Sequence, residues 1–242
     1  MFFAADFHLG LRAGSHPLER EKKVVRWLKK ITPDAKEIYL LGDVFDFWWE
    51  YKHVVPRGFT RFLGTISEIT DSGIPVHFFT GNHDMWIRDY LSEECGIKVH
   101  QQPLTTCFND KIFHLAHGEG LGSENLPYKI LLKIFHNKPL RIMYSALHPS
   151  IGVSIGHKWS LNSRLGKGIS KEFLGEDKED LIKYAASFIS GDIPDYFIFG
   201  HRHLAITCKL ENGSEVVLLG DWIKHSSYAE WDGNSLLLKV PD

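Results

Sequence analysis

Leu41-Gly42-Asp43-Val44-Phe45-Asp46-Phe47-Trp48 is the stretch that decides how this chain is read. The four residues before Leu41, Glu37-Ile38-Tyr39-Leu40, form a short, mostly apolar run that reads as a buried strand. Gly42 ends that strand where the backbone must turn, leaving Asp43 at its carboxyl end. In open α/β sheets, ligands are handled at that edge. A carboxylate placed there can bridge two metal ions, because each of its oxygens can bind one.

Other polar residues fall at the ends of other apolar runs. Residues 2–5 read as a first strand delivering Asp6 and His8, and period-two alternation puts both on one side of an extended backbone. A helix is expected over 17–31, with Leu18, Val24, Val25, Leu28 and Ile31 on one face. A second fits 57–72, closed by Gly73. Residues 75–79 read as a strand running into Gly81-Asn82-His83-Asp84, and 111–116 as one ending at His117. Three strand–loop–helix units imply a doubly wound sheet. The later runs 195–199, 204–210, 215–219 and 236–240 lack intervening helices, which predicts a second, more antiparallel sheet; the first of them leads into His201 and His203.

Together these side chains offer oxygen and nitrogen donors without thiolate, a set suited to Mn²⁺, Fe²⁺ or Zn²⁺. Asp6, His8, Asp43 and His203 are assigned to one metal, and Asp43, Asn82, His117 and His201 to the other. Such a pair serves in-line phosphoryl displacement. His83, next to Asn82, faces the same cavity as a proton donor or phosphoryl-oxygen stabiliser. Asp46 or Asp84 could orient it, although Asp84 could equally be an N-cap. Trp48, Trp49 and Tyr51 read as packing residues, with stacking on a base as the alternative.

Composition bounds the rest. With 242 residues the chain can form one large α/β domain with an insertion, and a net charge of -2 implies no global attraction to nucleic acid. The three cysteines, Cys95, Cys107 and Cys208, have no zinc or disulfide spacing and are expected to be buried thiols in a reducing compartment. Neither a signal peptide nor a bilayer-spanning run is evident, so a cytoplasmic location is expected. Residues 122–171 differ from the remainder. They carry eight Lys or Arg and one acid, Glu124, hence +7 against -9 for the rest, with apolar residues at roughly helical spacing. Two readings stand side by side: a solvated helical cap, or a basic amphipathic surface for acyl chains and anionic lipid.

Asp6-x-His8, Gly42-Asp43-x-x-Asp46, Gly81-Asn82-His83-Asp84, His117 and Gly200-His201-x-His203 together resemble the calcineurin-like metallophosphoesterase superfamily. That resemblance covers the chain to residue 203. It implies a four-layer α/β/β/α sandwich and a two-metal phosphoesterase. Asp6-Phe7-His8-Leu9-Gly10, Gly42 to Trp48 and His117-Gly118-Glu119 narrow it to the UDP-2,3-diacylglucosamine diphosphatases of lipid A synthesis. These are Mn²⁺ enzymes with a helical lid over the acyl chains of a lipid-linked nucleotide. The resemblance further implies substrate contacts at Asn125, Tyr128, Ser163, Lys167 and His201; peripheral attachment to the inner membrane is expected from the basic insertion, and no obligate protein partner is evident in the sequence. A soluble nucleotide or phosphoprotein substrate is the alternative, and a non-catalytic binding module a third reading. The chain departs from that family at His83, where Arg is usual, at Asn125, where an acid is usual, and at Glu119, where Asp is usual.

Overall fold

The computed structural model describes residues 1–242 except 13–15, 123–125, 168–171, 174 and 242, and the side chains of Pro127, Tyr128 and 163–167 also lie outside it. Strands β1 (Phe2–Ala4), β2 (Ile38–Leu41), β3 (Val76–Phe79) and β4 (Lys98–His100) pair in parallel. With β10 (Tyr228–Trp231) and β11 (Leu236–Lys239) they make a six-stranded sheet of order β11-β10-β1-β2-β3-β4. A five-stranded sheet contains β5 (Leu104–Phe108), β6 (Lys111–Ala116), β7 (Tyr196–Phe199), β8 (Ala205–Lys209) and β9 (Glu215–Leu219), in the order β5-β6-β7-β9-β8.

Alternation along the short strands builds the layers. Phe2, Ala4, Ile38, Leu40, Val76 and Phe78 pack beneath Val24, Trp27, Leu28 and Ile31 of α1 (Pro17–Ile31) and Phe62, Ile66 and Ile69 of α2 (Thr60–Asp71). Their neighbours Phe3, Tyr39, Leu41 and Phe79 point the opposite way and meet Phe113, Leu115, Ile198, Val217 and Leu219 of the second sheet. The outer face of that sheet, through Phe197, Phe199, Val216 and Leu218, is covered by Leu181, Ile182 and Ala185 of α7 (Asp180–Ala186). The result is the expected α/β/β/α sandwich. Burying side chains of this size contributes about 1.5–3 kcal/mol each.

The second sheet has the larger antiparallel share, as expected, but it is mixed: β6, β7 and β9 are parallel, with β5 and β8 antiparallel at its edges. Parallel pairing requires a long crossover, and the helical chain between β6 and β7 supplies it. The run 236–240 belongs to the first sheet, because β10 pairs with the free edge of β1 and draws β11 after it. Cys95 and Cys208 are buried, but Cys107 is exposed on the outward face of the edge strand β5.

Helix α3 (Tyr90–Cys95) precedes β4. Between β6 and α7 the chain passes through α4 (Leu126–His136), α5 (Lys138–Ser145) and α6 (Pro149–Lys167). Ile142, Met143 and Ile151 in these helices are exposed. Leu132, Phe135, Tyr144 and Val153 pack against Phe47, Trp49, Met85 and Trp86. Trp48 and Trp49 are therefore packing residues, as expected, with Tyr51 beside them. No helix among the described residues is long and apolar enough to cross a membrane.

Away from these helices, His77 stacks on Tyr39 and bonds His100, with Glu37 3.3 Å away and Lys98 nearby. Burial lowers His77 to about 4 from 6.5, although Glu37 acts in the opposite sense. Between those values the unfolded chain binds a proton that the folded chain refuses. Stability is thus full above pH about 6.5 and falls as the pH drops toward 4. Melting temperatures of metal-free protein across this range are expected to fall less steeply for His77→Gln; an unchanged slope would locate the acid sensitivity elsewhere.

Candidate metal centre

Each proposed donor follows the end of a central strand, and main-chain hydrogen bonds sew those ends together. The Asp6 and His8 N–H groups donate to the carbonyls of Gly42 and Asp43, both at 3.0 Å, and Gly200 N–H donates to His117 O at 3.0 Å. The buried Arg20 guanidinium steadies the first loop by donating to His8 O and Leu11 O at 3.0 and 3.1 Å. Asp6, His8, Asp43, His201 and His203 all have left-handed backbones, with φ of 55°, 45°, 49°, 63° and 53°. Asp6 and His8 therefore do not project from an extended segment, as period-two alternation predicts; each has a left-handed backbone beyond the end of β1. Left-handed non-glycine residues cost about 1–3 kcal/mol each and cluster at functional sites. Gly81 shows how tight the junction is, since a Cβ there would overlap Asp43 Oδ1.

The donor atoms converge. Asp6 Oδ1 lies 3.2 Å from His203 Nε2 and 3.5 Å from His8 Nε2. Asp43 Oδ2 lies 3.5 Å from His117 Nε2, 3.8 Å from His8 Nε2 and 3.9 Å from His83 Nε2. Three overlapping sets can each hold a cation: Asp6–His8–His203, His8–Asp43–His83 and Asp6–Asp43–His117. Asp6, His8 and Asp43 each occur in two of them, and Asp43 Oδ2 faces both His8 and His117, as a bridge requires. The buried atoms Asp6 Oδ1, Asn82 Oδ1 and His117 Nε2 have no hydrogen-bond partner. A buried polar atom left so costs about 1–3 kcal/mol, and cations bound here would satisfy them. His117 Nδ1 donates to Leu41 O at 2.7 Å, which turns the lone pair of Nε2 toward Asp43. His201 enters none of the three sets; its main-chain N–H donates to Asp6 Oδ2 at 2.9 Å, and its ring lies 5.2 Å from that of His117.

Charge is distributed accordingly. Burial opposes ionisation of Asp6 and Asp43, yet the surrounding imidazoles outweigh it and hold both carboxyls below their usual range. Burial and the neighbouring Asp43 push Asp84 up to about 8. Burial works against protonation of His203, but Asp6 and Asp221 raise it to about 10. Burial and the nearby His117 lower His201 to about 3.

The candidates for orienting His83 resolve differently from expectation. Asp84 Oδ1 accepts from Gly81 N at 2.7 Å and its Oδ2 from Phe45 N at 3.2 Å, so its carboxyl group pins two loops together. No helix begins at Asp84 for it to cap. His83 Nδ1 donates instead to the main-chain carbonyl of Asp46 at 2.9 Å. The Asp46 carboxylate accepts from Ser160 Oγ of α6 at 2.9 Å. Among the substrate-contact candidates, Asn125 and the side chains of Tyr128, Ser163 and Lys167 lie outside the described residues.

Sequence reasoning missed Asp221. Its Oδ2 accepts from His203 Nδ1 at 3.1 Å, and its Oδ1 accepts from Ile223 N and Lys224 N at 2.9 and 2.6 Å. The adjacent Trp222 N–H donates to Asp6 O at 3.1 Å. The available signal was Leu219-Gly220-Asp221, an apolar run closed by Gly-Asp just as Leu41-Gly42-Asp43 is. Carboxylates behind metal-ligating histidines are worth about 10–100-fold in metal affinity. Asp221→Asn is expected to weaken cation binding by about that factor in calorimetric titration. Unaltered affinity would reduce Asp221 to a turn former.

No family model matches the chain. A dimetal phosphatase from Danio rerio superposes with a TM-score of 0.48 at 14% identity, covering 98% of this chain and 94% of that one, too loosely to bear on the chemistry. Sequence relatives are much nearer. The UDP-2,3-diacylglucosamine hydrolase of Porphyromonas gingivalis is 42% identical over 253 residues, 99% of this chain and 96% of that protein. Proteins of the same name from Neisseria meningitidis and Haemophilus influenzae are 27% and 25% identical, covering 94% and 93% of this chain and 91% of each relative. Full-length identity at the level of the P. gingivalis protein, added to the converging donors, places this chain in the UDP-2,3-diacylglucosamine hydrolase family.

Proposed function

We propose that this protein is a two-metal hydrolase that splits the pyrophosphate of UDP-2,3-diacylglucosamine into UMP and 2,3-diacylglucosamine 1-phosphate. The observation that carries this reading is the 42% identity over 99% of the chain to a hydrolase of that substrate. Asp6, His8, Asp43 and His203 are assigned to one cation, and Asp43, Asn82, His117 and His201 to the other. Mn²⁺ is our choice, and Fe²⁺ and Zn²⁺ suit the same donors. Bound cations of this kind supply Lewis acidity to phosphoryl oxygens and acidify water.

The chain's own groups do the remainder. Asp43 faces both assigned sites. With Nδ1 tied to the Asp46 carbonyl, the other nitrogen of His83 points toward Asp43 Oδ2, where it can hold or deliver a proton to the departing sugar phosphate. Trp49, Trp86, Phe135, Tyr144 and Trp159 line an apolar chamber of about 250 Å³ suited to acyl chains. Burying them contributes about 0.8 kcal/mol per CH₂. Asn125, Tyr128, Ser163, Lys167 and His201 are our candidates for substrate contact. The basic, amphipathic helices α4–α6 act as a lid and rest on an anionic membrane surface, which implies a peripheral protein on the cytoplasmic side.

One experiment tests both parts. Substrate presented in anionic vesicles with Mn²⁺ in ¹⁸O-water is expected to place the label in UMP, with the protein co-sedimenting with the vesicles. Label in the lipid product would reverse the assigned orientation. Failure to hydrolyse this substrate, with efficient turnover of a soluble phosphodiester, would favour the soluble-substrate alternative.

A further inference from the structure

Helix α6 separates two cavities of opposite character. Ile155, Gly156 and Trp159 face the aromatic chamber, whereas Val153, Ser154, His157, Lys158 and Leu161 line a groove of about 1610 Å³ on the other side. Phe47 borders both, and Asp46 opens into the groove. Helical periodicity explains the division, because 153, 157 and 161 recur every turn on one face while 155 and 159 recur on another. Gly156 lets the helix lie on Phe47, since a Cβ there would overlap the ring.

The groove carries three cations against two carboxylates. Arg12, Arg57 and Lys158 line it, and none has an ion pair among the described residues. Its two acids already have partners: Glu21 Oε1 accepts from the N–H groups of Arg61 and Phe62 at 2.9 and 3.2 Å, and Asp46 accepts from Ser160 and lies 3.7 Å from His157 in the groove. Between the cations lie the apolar Leu11, Leu18 and Phe59. Largely apolar walls with a few directed charges are what a small organic ligand requires. Guanidinium and ammonium groups are the partners that phosphates require. A nucleotide combines both demands.

We infer that this groove binds the nucleoside diphosphate end of the substrate, with α6 as the partition between nucleotide and acyl chains. This rests on the proposed substrate. It accounts for two cavities that share Phe47, beside Asp46, whose carbonyl holds His83 at 2.9 Å and whose carboxylate lies 3.9 Å from His8; the scissile pyrophosphate then lies at that junction. The groove's volume exceeds that of an ordinary ligand pocket, about 300–1,000 Å³, so a uridine diphosphate fits without displacing the helix.

The test is a protein with Arg12→Gln, Arg57→Gln and Lys158→Gln combined, all exposed positions where folding is not at stake. Affinities of the metal-loaded protein for UMP and, separately, for 2,3-diacylglucosamine 1-phosphate are measured by calorimetry. UMP binding is expected to weaken by about tenfold or more, the value of one charge-assisted contact. The lipid product should change by less than about twofold. Unchanged UMP affinity, a loss confined to the lipid product, or equal losses for both would overturn the assignment; the last two would mark an acyl or lipid-headgroup surface. If wild-type protein hydrolyses UDP-2,3-diacylglucosamine while the variant keeps its UMP affinity, the groove alone is misassigned. Wild-type protein that neither hydrolyses that substrate nor binds UMP removes the substrate reading as well.

Discussion

Asp43→Ala is expected to reduce turnover to background and to lower bound metal from two ions per chain toward one or none. Asp43 Oδ2 faces three imidazole nitrogens, those of His117, His8 and His83, while its Oδ1 accepts the His83 main-chain N–H at 2.9 Å. Three nearby carboxylates are already committed. Asp84 is held by Gly81 and Phe45, Asp46 by Ser160, and Asp6 faces His8 and His203. Activity and metal content measured on the same purified sample decide the matter. A variant with two metals and most of its activity would dismiss the bridge, and the assigned centre with it.

His83→Ala should slow turnover by about 10²- to 10⁴-fold, the usual contribution of a general acid or base, with metal content nearly intact. Its geometry permits a competing role, because His83 belongs to a set with His8 and Asp43 that can itself hold a cation. The two roles separate cleanly in a metal analysis. An acid leaves the metal behind when it is removed; a ligand takes the metal with it. Loss of an ion in His83→Ala would therefore make His83 a ligand and leave the proton to another group. Asn82→Ala supplies the internal control, since it is expected to lose metal as well as rate.

Local chemistry written into the sequence was enough for eight of the eleven strands, while β4, β5 and β10 were not foreseen. Short apolar runs closed by Gly-Asp, Gly-Asn or Gly-His place a polar side chain at a strand's carboxyl end whatever the rest of the chain does. That is why Asp43, Asn82 and His201 were legible as candidate donors, whereas the four-layer sandwich was expected from the family resemblance that the motifs carry. Alternation then assigns the two faces of each strand without reference to distant residues.

Tertiary structure decided whatever depends on partners far along the chain. Whether residues 236–239 join one sheet or the other is settled by the free edge of β1, at the opposite end of the sequence. The left-handed backbones of Asp6, His8, Asp43, His201 and His203 cost energy locally and exist because loops from several strands are hydrogen-bonded to one another. No residue-by-residue preference predicts them. Asp221 is 18 residues from His203, and only the antiparallel return of β8 along β9 brings the two together. His83 is oriented by a main-chain carbonyl, a group that every residue carries and that no motif can single out. Residue types at strand ends announce which chemistry is available; the distances that make it usable arise from contacts between segments remote in sequence, and those appear only once the chain has folded.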